Sequence, residues 1–133
     1  MEGQAIAEAV CRMASDFFRL RDRSMLDLLK SSGYLQEHDA ITERQLAAIF
    51  EANPDLVHPW VILSERKRTQ YGYYLAPASG WPNQSGNWVV GYHPAGKVER
   101  FSDAATACAR FVKFEAENLR YIIEGGPPNK LRR

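Results

Sequence analysis

Apolar residues recur at Ile6, Val10, Met13, Phe17 and Leu20, spacings of four and three that lay a single stripe along an amphipathic helix from Gly3 to about Leu20. A second, shorter helix is predicted over Met25–Ser32, capped by Ser24 and ended by Gly33, a residue suited to the left-handed position just past a helix. Tyr34 to Ala40 reads as a polar connection. Thr42 followed three residues on by Gln45 is a capping box, with Ile41 and Leu46 placed for a hydrophobic staple, so a third helix should start there and stop near Ala52. Asn53-Pro54-Asp55 supplies a cap, a proline at a first helical position and an acid at the positive end of the dipole for a fourth, carrying Leu56, Trp60 and Leu63. Pro59 lies too deep for that start, so the helix should kink there or begin there.

The period then changes. Tyr71–Pro77, Asn87–His93 and Lys97–Phe101 are short, aromatic or alternating runs separated by Gly/Pro/Asn-rich stretches. They predict three strands in an antiparallel meander, with Trp88, Val90 and Tyr92 on one face of the second. Ser102 should cap a last helix, with Asp103 in its first turn and a solvated face bearing Arg110, Lys113, Glu117 and Arg120. The expected fold is α+β: N-terminal helices, then a three-stranded antiparallel β-meander packed against a C-terminal helix. Its 133 residues suit a single domain over 1–126, with 127–133 a loose basic tail.

Charge changes little in this picture. Seventeen basic and 16 acidic residues leave a net charge of +1, which disfavours a strongly basic nucleic-acid binder. No apolar run approaches the roughly 20 residues of a membrane helix, and Met1-Glu2-Gly3-Gln4 lacks a basic leader, so a cytoplasmic location is expected. Cys11 and Cys108 fall on apolar helix stripes and read as buried thiols, with a disulfide or a reactive Cys108 as lesser alternatives.

Catalytic signatures are missing from the sequence. His38, His58 and His93 are scattered, without a second ligand at metal-binding spacing, and there is no phosphate-cradling glycine loop and no G-x-S-x-G. No metal or cofactor is expected. What stands out is Ser64-Glu65-Arg66-Lys67-Arg68-Thr69-Gln70-Tyr71 together with Tyr73, Tyr74, Trp81, Trp88, Tyr92 and His93, more aromatic and planar cationic side chains than one small sheet can bury. Trp60 and Trp88 suit a core. Trp81 sits in a loop where no packing pattern calls for it, and Trp, Tyr and Arg dominate interface hot spots. Arg66, Arg68, Tyr71 and Trp81 are therefore the candidate partner-binding residues, and no catalytic residue is assigned.

Two stretches carry a family resemblance. Asn53-Pro54-Asp55-Leu56 through Trp60 leads into Ser64-Glu65-Arg66-Lys67-Arg68-Thr69 and Gly72-Tyr73-Tyr74-Leu75, and Trp88-Val89-Val90-Gly91-Tyr92 is followed by Arg100-Phe101-Ser102-Asp103-Ala104 and Ala107-Cys108-Ala109-Arg110-Phe111. Over the last two-thirds of the chain this resembles the immunity proteins of bacterial polymorphic toxin and contact-dependent inhibition systems. The resemblance implies a cytoplasmic antidote that binds a cognate toxin domain without cofactor or catalysis. Nuclease antidotes of this kind are often acidic, whereas this chain is neutral to slightly basic, which leaves the toxin's chemistry open. The alternative is a regulatory or adaptor module binding another cellular protein or nucleic acid, and a third reading is a small enzyme with dispersed catalytic residues.

Overall fold

Two local caps fix the N-terminal helices. A computed structural model describes residues 2–67, 72–77, 87–93 and 98–125 of the chain. The helices are α1 (Glu2–Cys11), α2 (Met13–Leu20), α3 (Met25–Ser32), α4 (Tyr34–Glu37), α5 (Glu43–Ala52), α6 (Val57–Lys67) and α7 (Ala104–Ile123), with 3-10 turns at His38–Ala40 and Pro54–Leu56. Ser24 caps α3 in a reciprocal box with Asp27, and Thr42 caps α5 in one with Gln45, both its bonds 3.1 Å. Gly33 turns the chain after α3 at φ +91°, where a Cβ would also come within 3.1 Å of the Ile6 side chain.

Five expectations shift. The predicted helix over 3–20 is two helices that meet at Arg12, and there the Cys11 carbonyl accepts the Trp60 indole N–H at 2.9 Å, a contact from 49 residues away. Tyr34–Ala40 is helical rather than a connection, and Tyr34 is fully buried. Asn53 does not cap the following helix; its Nδ2 donates back to the Ile49 carbonyl at 3.0 Å, at the end of α5. Because α6 starts at Val57, Pro59 falls in its first turn, where no intrahelical N–H is needed, and no kink is required. The cap of α7 is Asp103 rather than Ser102, its carboxylate accepting the Thr106 N–H at 2.8 Å and hydroxyl at 3.0 Å.

The chain is α+β, as the pattern implied. Strands β1 (Gly72–Pro77), β2 (Trp88–His93) and β3 (Val98–Phe101) form one antiparallel sheet in the order β1-β2-β3. The register places Leu75 opposite Val90 and Val90 opposite Glu99. Alternation then sends Tyr73, Leu75, Trp88, Val90, Tyr92, Glu99 and Phe101 to one face, which α7 backs. Tyr73 stacks on Phe114 of α7 at 4.4 Å between centroids and meets Tyr92 at 5.1 Å. The other side of α7 packs on α5 and reaches the core around Trp60, whose ring meets Phe111 edge-on at 6.1 Å. Trp60 and Trp88 are core residues, as their positions suggested, and each such side chain contributes about 2–3 kcal/mol by leaving water.

Helix α6 lies along the free edge of β1 and seals it with one side chain. Ser64, fully buried, accepts the Leu75 N–H at 2.7 Å and donates its hydroxyl proton to the Leu75 carbonyl at 3.1 Å. A serine thus satisfies both outward backbone groups of that strand residue, as a neighbouring strand would. Ser64→Ala should lower the unfolding free energy by about 2 kcal/mol, read from urea denaturation at unchanged slope, because two buried backbone groups lose their partner. A loss below about 0.5 kcal/mol would show that the edge is satisfied without the hydroxyl.

Candidate functional site

The ionisable side chains that the fold concentrates come from α4 and α7. Lys113 Nζ donates to the Tyr34 hydroxyl at 2.9 Å, to the His38 carbonyl at 3.0 Å and to the Ile41 carbonyl at 2.7 Å. Tyr34 in turn donates its hydroxyl to Glu117, which also receives Arg120 at 2.8 Å, and Arg120 reaches Glu124 at 3.1 Å. This face of α7 was expected to be solvated; instead it clasps the turn between α4 and α5, 75 residues away in sequence. The signal available in the sequence was Lys113-x-x-x-Glu117-x-x-Arg120 at helical spacing, together with a tyrosine and Leu35 in an otherwise polar stretch.

Each shift in proton affinity has a physical cause. Burial pulls the Lys113 pKa down, opposed by the Glu117 charge. Burial pushes Glu117 up, but the bonds from Arg120 and Tyr34 outweigh it and leave its carboxyl below the usual value. Tyr34 is pushed well up by burial and by donating to Glu117. An open groove of about 520 Å³ runs beside the clasp, lined by His38, Asp39, Ile41, Thr42, Glu43, Lys113 and Glu117. All three ammonium protons of Lys113 are held by protein acceptors, so the amine is engaged in fixing the turn rather than presented to the groove.

The cysteines are free and fully buried, which agrees with two core thiols. Burial raises Cys11 to about 12 and Cys108 well above the ordinary thiol range, so the thiolate needed for a nucleophile does not form near neutrality and the reactive reading of Cys108 is withdrawn. Among the described residues no group of three His, Cys, Asp or Glu could hold a metal, and no helix is long and apolar enough to cross a membrane.

The face of the sheet turned away from α7 carries Tyr74, Ala76, Val89, Gly91, Val98 and Arg100. They form two cross-strand rows, Tyr74–Gly91–Val98 and Ala76–Val89–Arg100. Tyr74 and Val89 are half-buried, Arg100 is exposed, and Val98 at 45% is the most exposed large hydrophobic among the described residues. Of the four candidate partner-binding residues, Arg68, Tyr71 and Trp81 lie outside the described residues; the backbone of Arg66 is in the last turn of α6, its side chain outside the described set. The tail 127–133 also lies outside them. The described strands still place the chain exits: the segment with Arg68 and Tyr71 enters β1 at Gly72, and the one with Trp81 leaves at Pro77, five residue steps or about 17 Å along the strand. Sequence reasoning had not singled out Val98 or Arg100, because alternation names two faces without saying which one the helix takes.

The sign for Glu117 is that of a depressed carboxylate: its stabilising contribution is present above the unfolded value near 4.5 and is lost as pH falls through the lower folded value. In a Tm-against-pH series, Glu117→Gln should flatten the acid limb below about pH 4.5 relative to the parent. Parallel curves would show that another group sets that limb. No family model, curated protein or solved structure matches the chain.

Proposed function

We propose that this chain is a non-catalytic protein-binding module, an immunity protein that binds and neutralises a cognate bacterial toxin domain in the cytoplasm. The observation that carries the binding reading is the outer face of the sheet. Helix α7 takes one face of the three strands, and the other carries Tyr74, Val89, Val98 and Arg100, with Val98 and Arg100 exposed. Apolar and aromatic positions beside an exposed guanidinium, that of Arg100, have the composition of interface centres. The resemblance of the Ser64–Leu75 and Trp88–Phe111 stretches to immunity proteins supplies the class of partner.

The clasp supports the same reading from the other side of the molecule. Lys113, Tyr34, Glu117 and Arg120 are bonded to one another and to the backbone, an arrangement that rigidifies the fold under the sheet. A binding surface gains affinity when it is already ordered before the partner arrives.

The test is co-purification and calorimetry with the product of the adjacent reading frame, with a 1:1 complex of about nanomolar affinity expected. Trp81→Ala should weaken that complex by about 2 kcal/mol while the Tm of the free protein stays within a degree or two. If the neighbouring product does not bind, the immunity reading is wrong; if Trp81→Ala lowers the Tm instead, that side chain belongs to the core.

A further inference from the structure

We infer that the open edge of β3 receives an extended segment of the partner protein as a fourth strand, an inference that rests on the protein-binding reading above. The starting point is the serine that seals the opposite edge. Because Leu75 gives both its N–H and its C=O to Ser64, these groups point away from β2, and Leu75–Val90 is a non-hydrogen-bonded pair. Val90 therefore directs its own backbone groups towards β3, which makes Val90–Glu99 a hydrogen-bonded pair. Alternation along β3 then leaves Glu99 and Phe101 bonded to β2 and turns the N–H and C=O of Val98 and Arg100 outwards, to the edge that no other described strand pairs. These two residues also carry their side chains on the outer face of the sheet. One short strand thus offers two donors and two acceptors at ladder spacing, beside an exposed valine and an exposed guanidinium.

The occupant is specified by charge. Glu99 lies on the α7 face, where Arg110 faces it at 3.5 Å, whereas Arg100 is in no ion pair among the described residues. A strand laid beside β3 with an acidic side chain next to Arg100 and an apolar one next to Val98 matches the edge. A second copy of this chain does not. Two-fold symmetric pairing of β3 with itself overlaps three of its four residues in only two registers; one sets Glu99 against its own counterpart and the other sets Arg100 against its own. Like charges meet at the centre of either, so the edge is suited to a different chain. Strand addition of this kind draws affinity from main-chain bonds and specificity from alternate side chains.

The experiment uses the full chain and the product of the adjacent reading frame as probe. Arg100→Pro removes an outward N–H without touching the β2 ladder, so the Tm should stay close to that of the parent while affinity for the probe falls at least about tenfold. Glu99→Pro, which breaks the ladder, should lower the Tm. Hydrogen exchange on the parent protein should show the Val98 and Arg100 amides slowed at least about tenfold on complex formation. Arg100→Glu should weaken the complex as well, with partial rescue by a lysine on the partner segment.

Failures separate cleanly. If the probe binds but Arg100→Pro binds equally well and those two amides exchange unchanged, strand addition is overturned and the immunity reading survives. If the probe does not bind, both fall. If Arg100→Pro lowers the Tm as far as Glu99→Pro, the assignment of outward groups is wrong. If the chain alone forms dimers that Arg100→Pro dissolves, the edge belongs to a second copy, which overturns the inference too.

Discussion

Three antiparallel strands have two edges and two faces, and in this chain helices close one of each. Helix α7 takes the face that carries Tyr73, Leu75, Trp88 and Val90, and α6 takes the β1 edge through Ser64. The rest of the architecture follows from that division. Since α7 is also the partner of α5 and the support of the core around Trp60 and Phe111, the sheet is held from its inner side and at β1, and among the described strands the edge left unpaired is that of β3. A single buried hydroxyl fixes this polarity because it bonds both the donor and the acceptor of Leu75.

The clasp on α7 holds the same helix from its far side. The 3-10 turn before α5 leaves its Ile41 carbonyl outside any helix and its His38 carbonyl bonded only by the Ile41 N–H at 3.4 Å, and the Lys113 ammonium donates to both. That ammonium would be costly to bury alone, and Glu117 at 4.0 Å, itself bonded by Tyr34 and Arg120, offsets it. Tyr34 shares in both halves, accepting from Lys113 and donating to Glu117, so the lysine, the tyrosine and the carboxylate hold one another's orientation.

What could be read from the sequence was what depends on neighbours. The cap at Ser24, the capping box at Thr42, the left-handed Gly33 and the face shared by Trp88, Val90 and Tyr92 are all set within a few residues, and all are found in place. The misplacements have distant causes or near-degenerate local ones. The break at Arg12 coincides with an indole from α6, and the burial of Tyr34 needs a lysine 79 residues on. Ser102 and Asp103 are both good caps, and the choice fell to the side chain that could bond two groups of Thr106 at once. The role of Ser64 left no trace in its own neighbourhood, where it reads as the start of a charged run. Of the surface proposed for binding, sequence could name the surplus aromatics but not the open edge, because an edge is a property of strand order.

Charge bears on how such a surface would capture its partner. The described ion pairs are largely internal settlements: Arg120 with Glu117 and Glu124, Arg110 with Glu43 and Glu99, Arg19 with Asp16. With a net charge of +1, the chain generates little long-range field to steer a basic or an acidic partner. Its association rate should therefore sit in the ordinary range of about 10⁵–10⁷ M⁻¹s⁻¹, and tight binding would have to come from slow dissociation. Main-chain bonds at an edge and desolvated rings on a face are interactions of that sort, broken only once the partner has begun to leave. A neutral antidote that works by such contacts differs in kind from an acidic one that attracts a basic nuclease from a distance, and its affinity should change little with salt.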